Sequence, residues 1–247
     1  IKSKITIPKF KNQSSSKKDI KLFEISIKDN KWIFNELTSA DQNEDYFFIN
    51  NKLISNNNLF ILASEKEIKN FNNSELNKFN NFTDTVPAFR CNLEIYIENG
   101  GFSSYQSEYP FEMTKKNGNI ASSIHSLTNK GAEKNYLLFR NIYFKPIYEE
   151  FNLFFVDLRA EKVIEHKKML TNNSNLIKLE NYLLKPEIFI LTNKYIGIPI
   201  FISVDNLHLS CEHTHPPHEY ILSKNKFKNV SNFKKKLYEI VKKTFPL

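Results

Sequence analysis

Apolar and polar side chains alternate through most of the stretch from residue 89 to residue 222, which is the period of a half-buried β-strand. Cys91, Leu93, Ile95 and Ile97 share one parity; Asn92, Glu94, Tyr96 and Glu98 share the other. Asn99-Gly100 follows, the residue pair favoured by a two-residue type I′ hairpin. Comparable runs predict strands over 136–143, 153–158, 163–169, 176–179, 187–191, 196–204 and 207–215. Before residue 84 the pattern is weaker. Strands are predicted over 20–27 and 31–34, with a Ser/Lys loop at 14–18. A short helix is predicted from Ser64, because Ser64 and Glu67 make a capping box ahead of Ile68 and Phe71, and a second helical turn from Ser74. The stretch 119–129 reads two ways: Ile120, Ile124 and Leu127 have helical spacing with Gly131 to close it, while its serines suit a loop. At the end of the chain Ser231 is placed to cap a helix whose stripe is Phe233, Leu237, Ile240 and Val241. Lys234, Lys235, Lys236, Lys242 and Lys243 surround that stripe and Pro246 stops it.

Short strands divided by turns predict antiparallel pairing. The fold class read from this pattern is mostly β, an antiparallel sandwich or distorted barrel built from hairpins, with the C-terminal amphipathic helix packed on a sheet. An Asn-rich joint ending near Asp84 and Pro87 marks a boundary between a small mixed α/β N-terminal portion, 1–84, and a main β domain with its helix, 85–247. A chain of 247 residues also fits one β domain overall.

Composition changes this picture in three ways. Aromatic residues reach 14%, a bias that favours strands. The net charge of +8 raises nucleic acid or an anionic membrane as partner. Of the 35 basic residues, however, only Arg90, Arg140 and Arg159 are not lysine. Asn and Ile abound and Gly occurs 5 times. That is the signature of AT-rich codons rather than of a selected binding face, and it argues against nucleic acid. The three arginines stand out by the same reasoning, since lysine does not replace a planar bidentate fork. Third, no apolar run approaches the roughly 18 residues of a membrane span, and residues 1–10 contain no signal-peptide apolar core. A cytoplasmic location is the expectation, with a removed segment before Ile1 left open.

Four of the six histidines crowd between His208 and Glu219. With Asp205-Asn206 as a two-residue turn, Ile200 would face Cys211, Ile198 would face His213 and Ile196 would face His215. His213 and His215 would then point to the isoleucine side, while His208, Glu212 and Thr214 point away. Two imidazoles at i and i+2 on one strand face reach one divalent transition metal, and Glu219 beyond a Pro-Pro turn would bring a carboxylate. The string His213-x-His215-x-x-x-Glu219 resembles the first metal-binding motif of the cupins. Over those seven residues the resemblance implies His213, His215 and Glu219 as ligands in a β-barrel; the short helical tail leaves little room for the second motif of that family, so a fourth ligand would come from elsewhere, for instance His125, His166 or Glu108.

A second group follows Asn99-Gly100. On a two-residue turn Ile97 faces Phe102, Ile95 faces Ser104 and Leu93 faces Gln106. Ser104, Gln106 and Glu108 then lie on the apolar side, where polar groups need partners. They line a pocket there, or the register differs. With Arg140 they form a candidate site for a small polar ligand or sugar, Tyr105 and Tyr109 being available to stack. Cys91 and Cys211 make no metal-type pair; Cys211 falls on the buried parity, which favours an inert thiol. No Gly-rich phosphate loop, G-x-S-x-G elbow or H-E-x-x-H helix occurs. The expected function is therefore a non-catalytic binding or accessory protein holding a small polar ligand. The alternative is a metal-dependent enzyme with the His213, His215, Glu219 site.

Overall fold

The structure, a computed structural model, describes residues 1–9, 20–71, 76, 91–106, 117–213 and 226–245. The first part runs β1 (Lys2–Pro8), β2 (Lys21–Lys28), β3 (Lys31–Glu36), β4 (Asp41–Gln42), β5 (Tyr46–Asn50), β6 (Leu59–Ala63) and α1 (Glu65–Asn70). Then come β7 (Asn92–Tyr96), β8 (Phe102–Gln106), β9 (Ala121–Ser123), β10 (Lys134–Asn141), β11 (Glu150–Asp157) and β12 (Lys162–Leu170). The chain continues through β13 (Asn173–Leu179), β14 (Ile188–Thr192), β15 (Ile198–Asp205), β16 (His208–His213) and α2 (Lys226–Lys242). The fold is mostly β, and among the described residues every strand pairing is antiparallel.

Four sheets form. The five-stranded sheet has the order β4-β5-β1-β7-β8 and the three-stranded sheet β3-β2-β6. A central sheet, β13-β10-β15-β16, stacks on an outer sheet, β12-β11-β14-β9. The largest core lies between these last two, where Leu137, Phe139 and Phe201 meet Phe151, Leu153, Phe155 and Ile190. The other face of the outer sheet is covered by α2, whose Leu237, Ile240 and Val241 pack on Phe154, Val156 and Leu191. The predicted apolar stripe is the stripe that is buried, and its lysines ring it: Lys236 and Lys243 approach Glu161, and Lys234 donates to the Asn119 carbonyl oxygen. The other face of the central sheet packs Ile198, Ile200, Ile202 and Val204 against Leu93, Ile95 and Tyr105 of β7 and β8. β15 is thus buried on both faces. A separate core joins the five- and three-stranded sheets through Leu22, Phe47, Ile49 and Leu62.

The two parts of the chain are knit together. Residues 77–90, the expected boundary, lie outside the described residues, but β7 and β8 beyond it extend the sheet of β1. The Trp32 indole N–H and the Leu76 N–H both donate to the Phe144 carbonyl, and the Ser174 N–H donates to that of Asn56.

The capping box forms as read: the Ser64 N–H donates to Glu67 at 2.9 Å, and Ser64 Oγ accepts from the Glu67 N–H. The helix turn at Ser74 falls outside the described residues. Two elements differ from the reading. The helix starts at Lys226, not after Ser231, which lies within it. Residues 119–129 take neither single form: β9 joins the edge of the outer sheet beside β14, and one 3-10 turn, His125–Leu127, follows.

Candidate functional site

Hairpin geometry decides which side chains reach the space between the five-stranded and central sheets. In the β7–β8 hairpin the Ile97 N–H donates to the Gly101 carbonyl, so Glu98, Asn99 and Gly100 form a three-residue turn. Only Asn99 adopts a left-handed φ, 59°. A type I′ turn needs positive φ at both central positions, and Gly100 does not supply it. Gly100 serves a different need: a Cβ there would lie 2.8 Å from the Leu207 carbonyl oxygen, where the β15–β16 hairpin crosses. The turn residue is a tertiary packing residue, and the register moves by one. Ser103 faces Ile95, Ser104 faces Glu94, Tyr105 faces Leu93 and Gln106 faces Asn92.

That single step reverses the expected faces. Ser104 is exposed, on the side away from the apolar seam. Gln106 keeps its place in β8 by backbone pairing with Asn92, on the parity of Ser104. Glu108 and Tyr109 lie outside the described residues. The side chain that enters the seam is Tyr105, 3% exposed.

The β15–β16 hairpin also turns elsewhere than expected, at Asn206-Leu207, with Asn206 at φ 50°. Here the shift is two residues, so parity survives. Ile202 faces Cys211 and Ile200 faces His213. His213 therefore lies on the isoleucine side as read, while His208 and Glu212 are exposed. His215 and Glu219 lie outside the described residues.

Three groups converge on this seam. The His213 ring meets Tyr105 edge-on, with centroids 4.4 Å apart and planes at 89°. On the other element packed there, Arg140 of β10 places its guanidinium carbon 5.7 Å from the Tyr105 ring centroid. Arg140 is aligned with Ile198 on the same sheet face and is half-buried. No carboxylate or carbonyl among the described residues is bonded to its side chain. Cys211, two residues before His213, is buried enough that its thiol is pushed up to about 11, which keeps it protonated at neutral pH. The inert-thiol reading follows from that desolvation.

Of the expected ligands His213, His215 and Glu219, His213 alone lies among the described residues. His125 directs Nδ1 at the Leu184 carbonyl oxygen, 3.2 Å away, and His166 rests against the Phe245 ring at 4.8 Å. Among the described residues no three His, Cys, Asp or Glu side chains are grouped as a metal site. Also among them, no helix is long and apolar enough to cross a membrane.

An open cleft of about 510 Å³ lies elsewhere. It opens between the five-stranded and three-stranded sheets, over Leu22 and Phe47, and is rimmed by Lys9, Lys21, Glu36, Thr38, Gln42 and Glu44. No residue of that rim is marked by a local sequence motif. Its members come from separate strands and loops, and only the pairing of β1 with β5 and the stacking of the two sheets bring them together. No protein-family model matches this chain, and neither curated proteins nor solved structures yield a match.

Proposed function

We propose that this chain is a non-catalytic binding or accessory protein that holds a small polar ligand, with Arg140 as the group that engages it. The supporting observation is the state of Arg140: a half-buried guanidinium whose neighbour is the Tyr105 ring and which has no acidic partner among the described residues. A guanidinium is the group of choice for planar acids and phosphates, because five N–H donors sit in a fixed fork. Ring contact fixes that fork without using its hydrogen bonds. The ligand class this favours is a small carboxylic or phosphate-bearing molecule, acidic sugars included. His213, edge-on to the same ring, supplies a second polar group beside it. Cys211, held as a thiol by burial, is not counted among the groups that would act on the ligand. The alternative metal-dependent reading rests on His213 with His215 and Glu219.

The test is a thermal-shift screen of inorganic phosphate, small carboxylic acids and acidic sugars on wild type, Arg140→Ala and Arg140→Lys. A compound that stabilises wild type, loses its effect in Arg140→Ala and keeps little of it in Arg140→Lys supports the reading. Absence of any stabilising compound, or equal stabilisation of all three proteins, overturns it.

A further inference from the structure

We infer that the cleft between the five-stranded and three-stranded sheets is a binding site for a neutral polyhydroxylated molecule of sugar size. The inference is independent of Arg140. Its volume, about 510 Å³, falls within the range of small-molecule sites.

The argument rests on what the rim has left to offer. Lys9 is already anchored: its ammonium donates to Gln42 Oε1 at 2.9 Å and to the Asn43 carbonyl, and lies 4.7 Å from the Phe47 ring centroid. Lys21 is anchored between Glu36 at 2.9 Å and Glu65 at 2.6 Å. An ammonium has three donors, so each lysine keeps one N–H. Accepting from Lys9 leaves the Gln42 amide both of its own donors. Glu36 binds Lys21 through Oε2 and keeps Oε1; Glu44 and the Thr38 hydroxyl add further polar groups to the rim.

Donors and acceptors are therefore interleaved around one opening, where Lys9 and Lys21 stand beside Glu36 and Glu44 and Lys21 also pairs with Glu65. An anion bound here would face two carboxylates, and a cation would face two ammoniums. A molecule of several hydroxyls avoids both conflicts, because each hydroxyl donates and accepts at once. Leu37, half-buried at the rim, is the apolar surface available to the C–H face of such a ring.

The experiment is saturation-transfer NMR followed by titration calorimetry on the full chain. The neutral probes are glucose, galactose, mannose and N-acetylglucosamine; glucuronate and glucosamine are the anionic and cationic comparisons. A neutral sugar is expected to bind in preference to both charged ones. The exposed double variant Gln42→Ala with Thr38→Val is expected to weaken that sugar about tenfold at unchanged melting temperature. Arg140→Ala is expected to leave it unaffected. The inference is overturned if no neutral sugar binds at millimolar concentration, if either charged sugar is preferred, or if the double variant binds like wild type. Sugar binding abolished by Arg140→Ala instead would assign the ligand to the seam and also overturn it.

Discussion

Asn172 tests whether side-chain hydrogen bonds, rather than apolar area alone, hold the two parts of the chain together. It sits in the turn between β12 and β13, 1% exposed, with φ at 52°. Its Oδ1 accepts from the Tyr143 N–H at 2.7 Å, and its Nδ2 donates to the carbonyls of Lys145 at 2.9 Å and Ile147 at 3.0 Å. Its own N–H donates to Asn141 Oδ1 at 2.9 Å. One side chain thus shapes the 143–147 loop, and that loop receives the Trp32 indole N–H on Phe144. In Asn172→Ala the Tyr143 N–H loses its partner in a buried place, at about 1–3 kcal/mol. The Ile147 carbonyl still accepts from Thr171 Oγ1, and the Lys145 carbonyl from the Ile147 N–H. Those two lost bonds therefore add only about 0.5–1 kcal/mol each. Left-handed φ with a Cβ lacking any local hydrogen bond adds about 1 kcal/mol more.

The expected loss for Asn172→Ala is about 3–6 kcal/mol, a large share of the usual 5–15 kcal/mol of a domain. Asn172→Gly removes the same hydrogen bonds but accepts the φ, so it should be less damaging than alanine by about 1 kcal/mol. Asn172→Asp keeps the acceptor for Tyr143 and turns an oxygen toward two carbonyls, so it should be at least as damaging as alanine. Urea unfolding followed by the fluorescence of Trp32, the only tryptophan, reads all three at the affected contact. An alanine variant within about 1 kcal/mol of wild type, or a glycine variant less stable than alanine, refutes the reasoning.

Three further outcomes follow from other contacts. Gly100→Ala should destabilise by about 1–3 kcal/mol in urea unfolding, because its Cβ meets the Leu207 carbonyl that accepts from the Gly101 N–H. Gly131→Ala, with no neighbour nearer than 3.4 Å, is the control and should stay within about 0.5 kcal/mol. The Glu149 carboxyl is held below the usual glutamate range by the ammonium of Lys194 and then by the Tyr195 hydroxyl, which donates to it at 2.5 Å. A depressed folded value means that this carboxylate stabilises fully above the unfolded value of about 4.3 and stops doing so as pH falls through the lower folded value. The stability gap between wild type and Glu149→Gln should accordingly be complete at neutral pH and shrink in acid; a gap independent of pH would exclude the linkage. For the metal reading, elemental analysis of untagged protein should find roughly one divalent ion per chain in wild type and none in His213→Ala with His215→Ala. Wild type free of metal after incubation with Zn, Fe, Mn or Ni would remove that alternative.

How far the sequence could be read turned on whether a signal was local. The capping box at Ser64 formed because both of its hydrogen bonds lie within four residues. The α2 stripe and the alternation in β10 also survived, since burial of one repeated face is an average over many side chains, while β11 and β15 are buried on both faces. The N-terminal strands were harder to see. β5 places Tyr46 and Phe48 on one face and Phe47 and Ile49 on the other, so apolar residues run without alternation and give no period. Within that poorly read part lies the cleft, assembled by pairings whose partners are tens of residues apart.

Turn placement was the sharpest limit, and its two failures had unequal consequences. Both hairpins near the seam turned at a position other than the one their residue preferences favoured. In β15–β16 the displacement changed pairing by two, and His213 stayed on the face that the alternation assigned to it. In β7–β8 the displacement was one, which exchanged Ser104 for Tyr105 in the seam. The cause is legible only in three dimensions: Gly100 is needed for the approach of Leu207, more than 100 residues later, and so is not spent on a type I′ turn. Strand parity is robust to even errors and inverted by odd ones. A hairpin whose glycine is close-packed against another hairpin is therefore where faces assigned from sequence are least secure, and here the one-residue step puts Tyr105, the ring beside Arg140, where Ser104 was expected.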